Sequence, residues 1–183
     1  MIHWFVLVPA LLVAWAVWTY NRLVRLRNQV KTAWADVDVQ LTRRHDLIPN
    51  LVAAVKAYAS HEKALLENVA ALREQALATR SPQRLGQVEG QLEQGLSSLL
   101  AVQEAYPDLK ANQNFAQLQA DLVKVEDHLQ YARRFYDGAV RDLNDGIQKF
   151  PDSLIAGAFG FAPAEFFSAA DGARAAVAVG VMQ

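Results

Sequence analysis

Residues 1–31 read MIHWFVLVPALLVAWAVWTYNRLVRLRNQVK, an uncharged apolar run that gives way abruptly to cations. No side chain from Met1 to Asn21 is charged, and the next ten residues hold Arg22, Arg25, Arg27 and Lys31 with no acid. A helix rises 1.5 Å per residue, so about 20 apolar residues cross a ~30 Å hydrocarbon core. Trp4, Trp15, Trp18 and Tyr20 lie near the ends of the run, where amphipathic rings favour the headgroup level. Pro9 is tolerated inside such a helix. A secretory signal opens on Lys or Arg, and this run does not, so residues 1–21 read as an uncleaved single-pass anchor. The cations on its C-terminal side place that side in the cytoplasm and the N-terminus outside.

Beyond the anchor, about 160 residues suffice for one domain with its own core. The chain has no cysteine, which excludes disulfides, thiolate catalysis and zinc–sulfur sites. Residues 22–44 hold six basic and two acidic side chains, whereas residues 45–183 hold 12 basic and 17 acidic ones. The positive part adjoins the bilayer, where anionic lipid attracts Lys and Arg. The acidic remainder argues against a nucleic-acid partner, which needs a basic stripe.

The soluble part is rich in Ala, Leu, Gln and Glu, with apolar residues at alternating steps of three and four. Four helices are predicted: 22–44, continuing the anchor without a break; 49–79; 81–105; and 112–149, with the cleanest stripe from Phe115 to Ile147. Ser81-Pro82 offers a capping hydroxyl before a proline at the first helical position. Tyr106-Pro107 and Phe150-Pro151 end helices, because a residue before proline avoids the α region. Asp46–Pro49 reads as a further break, with Asp46 capping the next helix. The alternative is one kinked helix, since the stripe Leu41, Arg44, Ile48, Leu51 passes through Pro49 in phase.

The expected fold is all-α: one N-terminal transmembrane helix, then an up-and-down antiparallel four-helix bundle over residues 22–149 with coiled-coil-like packing. Alternating directions return the end of the fourth helix to the bilayer. There the chain carries a Phe/Gly/Ala-rich segment, 150–170, in which only Asp152 and Glu165 are charged before the weakly ordered tail, 171–183. Its rings either cap the open end of the core or meet lipid or a neighbouring subunit; Phe159, Phe161, Phe166 and Phe167 are the candidates, together with Arg22, Arg25, Arg27 and Lys31.

No catalytic constellation stands out. None of His45, His61 and His128 has a Glu three residues before it, as a bundle-held di-iron site needs. There is no phosphate-binding Gly-rich loop and no nucleophile elbow. No catalytic residue, metal or cofactor is therefore assigned. The densest polar cluster is Arg43-Arg44-His45-Asp46, placed at the membrane-distal end of the first helix, where cations suit a C-terminus. It is a candidate site for a polar partner.

Four stretches resemble the LemA family: ADVDVQLTRRHDLIPNLVAAVKAYASHE (35–62), YPDLKANQNFAQLQ (106–119), ARRFYDGAVRDLNDGIQKFP (132–151) and LIAGAFGF (154–161). The resemblance covers nearly the whole chain. It implies a bacterial protein with one N-terminal membrane helix and a four-helix bundle, no established catalytic residues, and relatives linked to membrane remodelling or organelle formation. Together these readings point to a non-enzymatic inner-membrane scaffold that self-associates as a homo-oligomer. The alternative is an adaptor subunit of another membrane protein complex for signalling, transport or proteolysis.

Overall fold

The computed structural model describes Ile2–Phe167, with side chains from Leu7 onward, and the regular structure among these residues is entirely helical. The predicted tail, 171–183, lies outside the described residues.

The first helix, α1 (Ile2–Tyr58), runs 57 residues without interruption, about 85 Å at 1.5 Å per residue. From Leu7 to Trp18 it is apolar and largely exposed, including Leu7, Leu11, Leu12, Val13, Val17 and Trp18. From Leu23 onward the same helix supplies core: Val30, Ala33, Val37, Leu41, Ile48, Leu51 and Val55 are all buried. It is long and apolar enough to cross a membrane.

The predicted break at Asp46–Pro49 is absent. Pro49 lies inside α1, and the kinked-helix alternative describes this stretch better. A proline within a helix strips the carbonyl four residues earlier of its N–H partner. That carbonyl belongs to His45, and Arg73 Nε donates to it at 2.9 Å. A side chain from the next helix thus replaces the missing backbone donor, and Ile48 and Leu51 stay in register with the core on either side.

The chain instead reverses at residues 59–62, ten residues later than predicted. Helix α2 (Lys63–Ala78) follows with no side-chain cap at Glu62, which is why this turn left no capping signal in the sequence. Helix α3 (Pro82–Ala101) begins as predicted, Ser81 accepting from the Arg84 N–H. A 3₁₀ turn (Val102–Glu104) and the single-turn α4 (Pro107–Lys110) lead into α5 (Gln113–Gln148). Asn112 caps α5 by accepting from the Phe115 N–H at 3.0 Å. The short α6 (Asp152–Ala158) completes the described helices.

Helix α1 packs along α5 and α2 along α3. The α1–α5 pair is antiparallel: Tyr58 near the far end of α1 bonds Asn112 at the start of α5. At the other end, Gly146 of α5 lies against Leu23 and Leu26, so closely that a Cβ there would meet the Leu26 side chain at 3.0 Å. Two large clusters join the pairs. One gathers Val30–Leu41, Leu85, Val88 and Leu129–Leu143; the other gathers Ile48–Ala59, Leu66–Leu72, Leu92–Leu99 and Phe115–Leu122.

Candidate functional site

Between the two apolar clusters lies a layer of buried charge. Arg44 and Glu89 are fully buried, and Arg44 Nη1 donates to Glu89 Oε2 at 2.9 Å. The other Glu89 oxygen lies 2.7 Å from His45 Nε2. Arg44 also pairs with Glu126 of α5, and Arg133 of α5 pairs with Glu93 of α3 at 3.3 Å. With Arg73 on the His45 carbonyl, all four long helices are tied together in this layer.

The helix period explains why these groups meet. Arg44 follows Leu41 by three and precedes Ile48 by four, so it sits on the core face of α1. Glu89 stands likewise between Leu85 and Leu92, and Glu126 between Leu122 and Leu129. The cluster Arg43-Arg44-His45-Asp46 is therefore mid-helix rather than at a helix end, which corrects its predicted place. Arg44 and His45 point inward, whereas Arg43 and Asp46 are exposed beside Lys124 and His128. The phase through Pro49 was the available signal for Arg44; Glu89 and Glu126 had no comparable signal, because an acid on a stripe reads as an edge position.

Burial acts against both charges of the central pair. It pushes the Glu89 carboxyl up, but the hydrogen bond from His45 and the charge of Arg44 outweigh it and hold the group below its ordinary value. Burial, then the nearby charge of Arg133, pull Arg44 below the usual arginine range against the opposing pull of Glu89. Chemically this layer is a crosslink: its carboxylates face guanidinium or imidazole groups, and Arg44 forms the floor of a hollow of about 190 Å³ with largely apolar walls. Among the described residues no group of three His, Asp or Glu side chains is placed to hold a metal ion.

The second assembly sits at the base of the exposed apolar segment. After α5 the chain folds back onto α1, and Asp152, at the start of α6, is buried against it. Thr19 Oγ1 donates to Asp152 at 3.3 Å and Arg22 Nη1 at 2.6 Å. Tyr20 meets the edges of Phe159 and Phe161 at centroid distances of 4.9 and 5.8 Å. The Arg27 guanidinium stacks 5.1 Å over Phe161, and Arg22 lies 5.9 Å from the Trp18 ring. Arg25, Arg27 and Lys31 are exposed.

The predicted Phe set divides. Phe159 is exposed, but Phe161 is buried against Leu23 and Ala156, so its ring caps the core. Beyond Gly160, which turns the chain at φ +67, the segment runs up the molecule as a strap. Asn144 holds Ala164 through two hydrogen bonds, and Tyr136 Oη donates to the Glu165 carbonyl at 2.8 Å. Burial, with the charges of Asp137 and Glu165, pushes the Tyr136 phenol up to about 12. Phe166 is half-buried, and Phe167 is buried near Trp34 and Arg133, its N–H donating to Asp137 at 2.8 Å. Phe161 and Phe167 thus pack into their own chain, as in the core-capping alternative, rather than facing lipid or a subunit.

The LemA family model matches residues 33–180. Magnetosome proteins MamQ 1 and MamQ 2 of Paramagnetospirillum magneticum are each 24% identical over 174 residues, covering 81% of this chain and 64% of theirs. Magnetosome protein MamQ of Magnetospirillum gryphiswaldense is 21% identical over the same coverage. The chain thus spans 64% of the length of these relatives.

Proposed function

The chain belongs to the LemA family, and from that premise we propose that it is a non-enzymatic, membrane-anchored helical scaffold that self-assembles at the bacterial inner membrane. In this reading α1, α2, α3 and α5 form an up-and-down antiparallel bundle on the cytoplasmic side, and the N-terminus lies outside. The carrying observation is the unbroken α1: exposed apolar residues and core residues share one rigid helix, so the domain has a set orientation to the bilayer. The buried ionic layer adds stiffness across the four helices. Tyr131 and Phe135, one turn apart on α5, are 68% and 52% exposed and offer a face to a second copy. The likeness to magnetosome proteins supports a part in building or organising a membrane-bounded structure.

Light scattering of the full chain in a mild detergent tests this. A multimer is expected, weakened by Tyr131→Ser with Phe135→Ser. A clean monomer at micromolar concentration overturns self-assembly. Should the same faces instead hold a different membrane protein in fixed stoichiometry, the protein is an adaptor.

A further inference from the structure

The segment between Asp152 and Glu165 carries no charge, yet part of it faces outward. Phe150 and Leu154 are four residues apart and 81% and 60% exposed; Phe159, just past the end of α6, is 62% exposed. Isolated exposed apolar residues are ordinary, but two exposed Phe and an exposed Leu within ten residues, at and beside one short helix, call for a partner.

The position of these residues identifies the partner. Asp152 is held by Thr19 and Arg22, and Phe159 touches Tyr20, so α6 sits level with residues 19–23 of α1. This is where the uncharged run ends and the cations begin. Below this level α1 shows exposed Leu11, Leu12, Val13, Val17 and Trp18; above it are exposed Arg25, Arg27 and Lys31. Asp152 neutralises Arg22 and leaves the other three cations unclaimed by α6.

We propose that α6 is an interfacial foot: Phe150, Leu154 and Phe159 enter the headgroup region of an anionic bilayer leaflet beside the point where α1 leaves it. Two features select lipid over a second copy of the chain. Phe159 adjoins the end of the apolar span through Tyr20, and the exposed Arg25, Arg27 and Lys31 just above complement anionic headgroups. The buried Asp152 clamp sets the depth of the foot by fixing it to α1, so the foot stops α1 from sliding or tilting freely through the bilayer. The inference rests on the anchored reading above.

The absence of cysteine permits single labels on the full chain. An environment-sensitive fluorophore is placed at Phe150→Cys, Leu154→Cys or Phe159→Cys. Val13→Cys reports the span and Lys63→Cys, exposed at the start of α2, the distal end. Each protein is reconstituted into phosphatidylglycerol-containing vesicles doped with lipids bearing a nitroxide, shallow for the foot labels and deep for Val13→Cys, and circular dichroism checks the helix content. The three foot labels should shift to the blue and lose most of their emission, with Lys63→Cys unaffected. Quenching at Val13→Cys without quenching at the foot overturns this inference and leaves the anchor standing. Bright labels at Val13→Cys and at the foot overturn the anchored reading and the foot with it. Foot labels that quench one another between copies, but not with nitroxide lipid, identify a second copy as the occupant and overturn the proposal.

Discussion

Replacing Glu89 by Gln should destabilise the protein more than any exposed substitution. Glu89 is fully buried and accepts from Arg44 at 2.9 Å and lies 2.7 Å from His45. A hydrogen bond to a charged group contributes about 1.5–3 kcal/mol. Removing one member of a buried pair strands the other and costs about 3–5 kcal/mol. Arg44 keeps Glu126 on its other nitrogen, so the expected loss is toward the lower end, about 3 kcal/mol. That is a large share of a typical 5–15 kcal/mol stability. The assay is urea unfolding of the full chain in detergent micelles, followed by circular dichroism. The cycle with Arg44→Met and Glu89→Leu completes it: the double variant should cost clearly less than the sum of the singles, because neither charge is then stranded. The pH dependence has a definite sign. The folded Glu89 pKa lies below its ordinary 4.5, so its contribution is fully present above that value and is lost as the pH falls through the lower folded value. Glu89→Gln should flatten that acid limb. A loss below about 1 kcal/mol, or an unchanged acid limb, refutes the view that this layer is desolvated and tied.

Pro49 and Arg73 should be coupled through the His45 carbonyl. Arg73→Ala should cost about 1 kcal/mol or more in the parent protein and much less in a Pro49→Ala background, where a backbone N–H returns to the carbonyl; equal costs in both remove the explanation for the unbroken helix. Gly86→Ala should lower the melting temperature, since a Cβ there would overlap the Phe167 carbonyl; overpacking of this kind costs about 1–3 kcal/mol. An unchanged melting temperature would mean that the strap lifts away freely. Spectrophotometric titration should reveal a tyrosinate transition near 12 that Tyr136→Phe removes. Because the folded value is raised, the stability linked to this phenol is intact below the unfolded value near 10 and declines as the pH rises toward 12.

Helix content, the apolar span, the Ser81 start of α3 and the long α5 were all legible in the chain, because each depends on local signals: period, proline position, a capping hydroxyl or an uncharged run of sufficient length. The first helix boundary was not. Pro49 looked like a terminator because the donor that rescues the His45 carbonyl comes from α2, 28 residues away. The polar cluster at 43–46 was visible as a cluster, yet its division into two buried and two exposed residues depended on that same unbroken helix.

The sequence by itself determined that the chain is helical, that its N-terminal run suits a bilayer and that cations follow it, since hydrophobic length and periodicity are properties of neighbours along the chain. Only the tertiary structure decided that Arg44 and Glu89 share a dry layer, that Phe161 and Phe167 turn inward while Phe150 and Phe159 turn outward, and that Asp152 binds the base of α1. Those outcomes depend on which distant side chain supplies the partner of a buried charge or ring, and no local pattern encodes that choice.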